Sequence, residues 1–410
     1  MKKTLWTKDF TCITAATALS AIGGEAMNLP ISLLVFDETG STFLSAMILV
    51  CGMLPDVLLS VLVAPLIDKG NKKKWIVGLD VLLAVLYLSV GVWVGRHTFS
   101  YGLYIVFTLL VGTISVFYRL AYGAWYPDLI PVGLEQKGYA VSSTIYPLIM
   151  ILMSPVAAFL YEKVSMGRIF SIVSGLTMLS VLLEGSIREG GKHGEDSYSF
   201  SQYRKDIAEG FYYLKREKGI RNIYTYMSIT QGTSNGMELI TQAFYQTNPV
   251  FTVTMLGFLR SAEMTGRILG GFFQYIKEIP AKKRYAFTRF VYLFYSAVDM
   301  ILLFLPYPGM LAGRFACGAL GTTSATIRET AVQSYLPEQM RARVNAAFDV
   351  LFAVGGVFFQ LLAGALGQIF SYRTVAVLLG MVSFCSVFFL IILPEKENRP
   401  IYEAKRVRSD

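Results

Sequence analysis

Apolar residues in this chain are gathered into runs of about 20 between short polar breaks, a length that crosses a hydrocarbon layer of about 30 Å as a helix. The runs lie near 10–35, 43–66, 75–95, 101–122, 139–161, 168–187, 222–246, 252–275, 286–305, 309–331, 344–366 and 373–394. This pattern predicts an all-α polytopic membrane protein of twelve transmembrane helices, with both termini on one side. Charge decides which side that is. With the chain cut at these spans, 30 of the 37 Lys and Arg residues fall on the side of the termini. The far side holds Arg96, Lys163, Arg168 and Arg373, with Arg314 near an outer helix end, while Arg260 and Arg267 sit inside a span. Lys and Arg mark cytoplasmic loops. A multi-pass protein of the cell membrane with cytoplasmic N- and C-termini is therefore expected.

The one long hydrophilic interior segment, Ser186–Lys218, divides the spans six and six. It separates an N-terminal six-helix half, 1–187, from a C-terminal six-helix half with a cytoplasmic tail, 222–410, through a cytoplasmic linker, 188–221. Within the linker Tyr203, Ile207, Phe211 and Leu214 recur at helical spacing, with Arg204, Lys205, Asp206, Glu209, Lys215 and Arg216 on the other faces. Such a helix should lie flat on the inner membrane surface; a solvated spacer is the alternative. The halves read as a diverged duplication. Pro131 to Ala140 and Pro337 to Ala346 share their spacing at an offset of 206, and a basic cluster recurs as Lys72-Lys73-Lys74 and Lys282-Lys283-Arg284.

Composition agrees with lipid as the main solvent: 54% of residues are hydrophobic, 16% are charged and the mean hydropathy is +0.51. A net charge of +9 would suggest nucleic acid in a soluble protein. Here the cations are dispersed over short inner loops and act as orientation signals and contacts to the lipid bilayer. The four cysteines, Cys12, Cys51, Cys317 and Cys385, all fall within spans, and the two histidines, His97 and His193, fall in loops. Neither a disulfide framework nor a metal site follows, and no cofactor is expected. The lysines of Met1–Lys8 followed by an apolar run imitate a signal peptide. That run continues to about Phe36 with a second span directly after it, so it reads as a retained first helix.

The stretch Ala64-Pro-Leu-Ile-Asp68-Lys69-Gly70-Asn71-Lys72-Lys73 resembles the loop signature between the second and third helices of the major facilitator superfamily, Gly-x-Leu-x-Asp-Arg-x-Gly-Arg-Lys. Ala64 and Asn71 replace its two glycines; Asn tolerates a left-handed turn, and Ala64 still permits close helix packing. Ala18 to Gly23, Thr39-Gly-Ser41, Tyr126 to Pro131 and Asp206 to Leu214 are similar to the macrolide-efflux and siderophore-exporter branch. That resemblance implies the major facilitator fold, alternating access about a site near the midplane, and export more often than import. The fifth-helix antiporter motif of the family, Gly-Pro-x-x-Gly-Gly, stands here as Ser154-Pro155-Val-Ala-Ala158-Phe159. This departure bears on exchange with protons more than on the fold.

Charged side chains inside a span cost about 2.5–3.5 kcal/mol on insertion scales, so each is a candidate for function. Glu25 stands first, near the middle of its span on a small and polar stripe of Thr14, Thr17, Ala18, Ala21, Asn28 and Ser32. The stripe suits a water-filled cavity in which a carboxyl takes up and releases a proton; a permanently neutral carboxyl bonded to a neighbouring helix is the alternative. In the seventh span Gln231, Ser234, Asn235, Glu238, Thr241 and Gln242 crowd one side, which should face the same cavity. Glu238 lies toward the outer half and reads as a substrate contact, or as a wetted outer mouth.

Asp56 and Glu263 hold matching places, 207 residues apart, in the second and eighth spans. Asp56 shares its face with Gly52, Ser60 and Ala64, as a close helix contact requires, and is a second candidate for proton coupling through Arg267 or a backbone donor. Glu263 and Arg267 are spaced i, i+4 and can pair, so loss of Arg267 alone should strand Glu263. Arg119 ends a stripe of Thr108, Gly112 and Ser115, and Arg328 ends a Thr-rich tenth span. Each could attract an anionic substrate or simply snorkel. Asp299 and Asp349 are secondary candidates. Asp68 with Lys69, Lys72 and Lys73 could form a cytoplasmic gate; topology signalling alone would account for the lysines but not for Asp68.

The reading that joins these residues is a monomeric secondary transporter exporting small amphipathic compounds against inward proton flow. An uncoupled facilitator or importer competes with it, as does a non-transporting membrane scaffold or receptor of the same fold. An enzyme is not expected. The chain has no Gly-x-x-x-x-Gly-Lys-Ser/Thr loop, and nothing assembles a nucleophile, a base and an oxyanion site.

Overall fold

The computed structural model describes residues 4–188, 200–277 and 279–404, except the side chains of 60, 61, 64, 65, 68, 69, 200, 201 and 203. Its α-helices are α1 (Lys8–Thr39), α2 (Thr42–Lys69), α3 (Lys72–Val94), α4 (Tyr101–Trp125), α5 (Glu135–Lys163), α6 (Met166–Gly185), α7 (Phe200–Arg216), α8 (Lys218–Thr247), α9 (Val253–Ile276), α10 (Ala281–Ile301), α11 (Tyr307–Tyr335), α12 (Glu338–Ile369), α13 (Tyr372–Ser386) and α14 (Glu395–Tyr402). Every apolar run coincides with one of them. Among the described residues, nine helices are long and apolar enough to cross a membrane: α1 to α6, α10, α12 and α13. The other three runs are α8, α9 and α11, which have the length but carry the more polar stripes.

Local chemistry sets the helix ends. Thr7 caps α1 by accepting from Phe10 N at 3.2 Å, and Gly40 at φ 61° ends it in the left-handed conformation that glycine adopts without penalty. Asn71 does not make the left-handed turn expected of it. At φ −74° it is the N-cap of α3, accepting from Lys74 N at 3.0 Å. Asparagine here works through its side-chain oxygen, where the glycine of the resembled signature would work through its backbone.

The chain forms two compact units: Met1–Gly40 with Met47–Phe200 and Val253–Gly257, and Ser41–Ala46 with Ser201–Thr252 and Phe258–Asp410. In the first, α1 packs on α5 and α6, and α3 packs on α4 and α6. At one end Phe10, Ile13, Ile76, Trp125, Tyr126 and Leu129 close an apolar cluster. In the second, α8 lies on α12 and α13, and α10 on α11 and α13. Glycines permit the closest approaches: a Cβ on Gly236 would stand 2.7 Å from that of Ala363.

The linker helix differs from its sequence reading. Its packed face is Asp206, Gly210 and Leu214, one turn apart; of the expected stripe Leu214 is buried, Ile207 is half-buried and Phe211 stays exposed. Arg343 on α12 explains the shift. Its guanidinium pairs with Asp206 at 3.4 Å and with Glu209, and Gly210 lies against the Arg343 backbone. A carboxylate placed on the polar side by its charge is buried because α12 brings the cation to it.

Beyond α13 the backbone turns in π-helical geometry over Val387–Ile392. Such turns misalign carbonyls, and here Asn398 of α14 donates to Leu390 O (2.7 Å) and Ile391 O (3.1 Å) while Tyr285 of α10 donates to Ile391 O (2.6 Å). Tyr402 closes the same end, buried beside Tyr292 at 3.2 Å. Burial, and then Tyr292, hold its phenol well above the usual range.

Candidate functional site

In the first unit Glu25 is buried, 4% exposed, rather than facing water as its stripe suggested; Asn28, one turn on, is exposed. Ser154 of α5 donates to Glu25 Oε1 at 2.8 Å. None of the ion pairs among the described residues includes Glu25. Among the described residues its carboxyl is therefore held by a neutral donor, the Ser154 hydroxyl.

Asp56 pairs with Arg119 of α4, and both side chains are more than half exposed. Two stripes seen separately in the sequence produce this pair. Gly52 of α2 lies against Gly112 of α4, where an added Cβ would stand 2.6 Å from Gly52 O. Past this crossing, Asp56 and Arg119 follow on the same faces. Of the gate residues, the side chains of Asp68 and Lys69 lie outside the described residues. Lys72 is 7% exposed. Lys73 donates through Nζ to Gly185 O (2.9 Å) and Ile187 O (2.5 Å), capping the carbonyl end of α6, where a cation is favoured.

Sequence reasoning passed over a buried acidic pair. Asp80 of α3 is 2% exposed and Glu184 of α6 is fully buried. Tyr118 of α4 donates to Glu184 Oε1 at 3.0 Å. Glu184 Oε2 and Asp80 Oδ2 have no hydrogen-bond partner among the described residues. The signal was available, a carboxylate inside an apolar run, and on α6 Glu184 also continues a buried stripe of Ser174, Thr177 and Ser180.

In the second unit α8 carries its polar side as expected, with local bonding. Gln231 donates to Asn235 at 3.0 Å, and Gln242, buried, donates to Gln246 at 3.2 Å. Ser234 is half-buried and Glu238 exposed. Glu238 pairs with Arg260 of α9 at 2.6 Å. On α9 the expected pair is present, Arg267 Nη2 to Glu263 Oε1 at 2.7 Å. It is part of a larger network. Arg314 of α11 lies 3.3 Å from Asp299 of α10 and 3.8 Å from the second Glu263 oxygen. Arg314, expected near an outer helix end, is thus a buried centre of charge compensation. Arg328 is mostly buried and lies 3.6 Å from the exposed Glu329.

A family model described as Major Facilitator Superfamily matches residues 13–305 and 283–409. Macrolide efflux protein A of Streptococcus pyogenes is 24% identical over 290 residues, 67% of this chain and 69% of that protein. Its namesake in Enterococcus faecalis is 24% identical over 259 residues, 57% of this chain and 75% of that protein. Among solved structures, a peptide transporter superposes with a TM-score of 0.73 at 9% identity, covering 97% of this chain and 95% of its own. The nucleoside transporter NupG does so with a TM-score of 0.67 at 13% identity, covering 92% and 97%. A bacterial homolog of the human lysosomal transporter Spinster gives 0.65 at 13% identity, covering 96% and 95%.

Proposed function

This chain belongs to the Major Facilitator Superfamily and is a multi-pass membrane transporter, not an enzyme, and we propose that it exports small amphipathic compounds in exchange for protons. The observation that carries the coupling is Glu25, a buried intramembrane carboxyl held by a serine hydroxyl and, among the described residues, by no cation. Asp56, Glu238, Glu263 and Asp299 all sit with arginine. A carboxyl so compensated gains little by protonation, whereas an uncompensated one in low dielectric changes its surroundings most when it titrates.

Export is the direction suggested by the efflux relatives, and macrolides are the first compounds to test. Asn28, Gln231, Ser234, Glu238 and Arg119 are the polar contacts we assign to substrate. Gln242, buried on its neighbour, is left to structure. Asp56 acts through its exposed pair with Arg119, which an anionic group can open. Asp68, Lys69 and Lys72 remain the cytoplasmic gate, with Lys73 holding the end of α6. Both termini are cytoplasmic, the membrane is the cell membrane, and the working unit is a monomer.

Purified protein in proteoliposomes, given a pH gradient and radiolabelled erythromycin, tests this reading. Wild type should accumulate the label only with the gradient, and Glu25→Gln should bring uptake to background while leaving binding intact. Full gradient-driven flux in Glu25→Gln would remove Glu25 from coupling. If Glu184→Gln abolishes flux instead, coupling belongs to the Asp80 and Glu184 pair. Flux indifferent to the gradient selects a facilitator.

A further inference from the structure

Ser154 lies within α5, fully buried and directly before Pro155. Its hydroxyl reaches Glu25, as described, at 2.8 Å. Its carbonyl oxygen marks the closest approach of α9, since a Cβ on Gly257 would stand 2.6 Å from Ser154 O and 2.5 Å from Pro155 Cα. Gly257 ends the segment Val253–Gly257, which belongs to the first unit. Thr254 binds that segment further to α5, donating from N (3.0 Å) and Oγ1 (3.1 Å) to the two carboxylate oxygens of Glu162. One residue therefore touches the candidate proton carrier with its side chain and the first turn of α9 with its backbone.

We propose that Ser154 is a positioning residue that transmits the protonation of Glu25 to the junction of α5 with the first turn of α9. The proposal rests on the reading of Glu25 as the proton carrier. An ionised carboxylate only accepts hydrogen bonds and so fixes the serine hydroxyl as donor. A protonated carboxyl can itself donate, which frees the hydroxyl to turn. Within a helix a freed serine bonds the carbonyl four residues back, and such bonds bend helices. Pro155 makes α5 pliable at this point, because it offers no N–H to the preceding turn. Packing against Gly257 leaves no space to absorb a change of bend, so the first turn of α9 must follow it. Other groups facing Glu25 do not compete for this role. Tyr146 of α5 is within electrostatic range, and α6 places apolar Val173 beside Gly23. The resembled antiporter motif has glycine at position 154, which could pack here but could not donate.

The test needs no transported compound. Spin labels at Phe159→Cys and Met255→Cys, with Cys12, Cys51, Cys317 and Cys385 replaced, report the α5–α9 distance in proteoliposomes at acidic and alkaline pH. Wild type should give two distance distributions, and Glu25→Gln one at both pH values. Ser154→Ala should match Glu25→Gln, and Ser154→Thr, which keeps the hydroxyl, should match wild type. If Ser154→Ala keeps the response that Glu25→Gln loses, the proposal is overturned and Glu25 stands. A response kept in Glu25→Gln overturns the reading of Glu25 and the proposal with it. No response in wild type, or loss in Ser154→Thr as in Ser154→Ala, overturns the proposal alone, the second by assigning the effect to packing.

Discussion

At the level of single residues, the network of α9, α10 and α11 changes what a deletion should do. The i, i+4 pair of Glu263 and Arg267 was legible from spacing, because both partners lie on one helix. Arg314 was not, since its two partners come from other helices. With it in place, Glu263 keeps a cation when Arg267 is removed, and Arg267 is half exposed. Arg267→Ala should therefore be mild. Arg314→Ala leaves Asp299, 4% exposed, as an uncompensated buried charge, and breaking a buried pair costs about 3–5 kcal/mol. Thermal unfolding in detergent should rank Arg314→Ala well below Arg267→Ala, with Arg314→Gln plus Asp299→Asn recovering much of the loss. Equal destabilisation by the two alanine variants would show that the network does not share its charges.

Between helices, the two units have a crossing of the same kind. In the first unit α2 meets α4 at Gly52 and Gly112; in the second α9 meets α11 where Gly318 lies against the Glu263 backbone. Gly112 and Gly318 are 206 residues apart, the offset of the repeated Pro131 and Pro337 segments. Each crossing sets an acidic residue, Asp56 or Glu263, beside an arginine of the partner helix. The glycines matter because backbone approaches backbone, where a methyl group cannot be accommodated by turning a side chain. Gly318→Ala should cost about 1–3 kcal/mol through forced separation. Gly321→Ala, whose Cβ would stand 3.8 Å from Tyr295 Cε2, should be near neutral. Comparing their unfolding temperatures checks this, and equal values would place the helices farther apart.

For the molecule as a whole, the charge count makes a topological prediction that needs no site chemistry. With native cysteines replaced, Thr98→Cys and Val250→Cys should react with a membrane-impermeant maleimide in intact cells. Val132→Cys, 77% exposed in the connection before α5, should react only after permeabilisation. The reverse pattern would invert the assigned orientation.

Hydropathy by itself determined the helices, because a backbone in lipid must satisfy its own hydrogen bonds and each apolar run can do so only as a helix. It also marked most of the charges worth attention, since a carboxylate or guanidinium in such a run is costly wherever it points. Tertiary structure decided their partners. Asp56 went to Arg119, Glu238 to Arg260 and Arg343 to Asp206, each from one helix to another, and Asp80 of α3 met Glu184 of α6. Spacing along one helix fixes which side chains share a face; which face meets which is set by glycine contacts and complementary charge on another helix, and those exist only once the chain has folded.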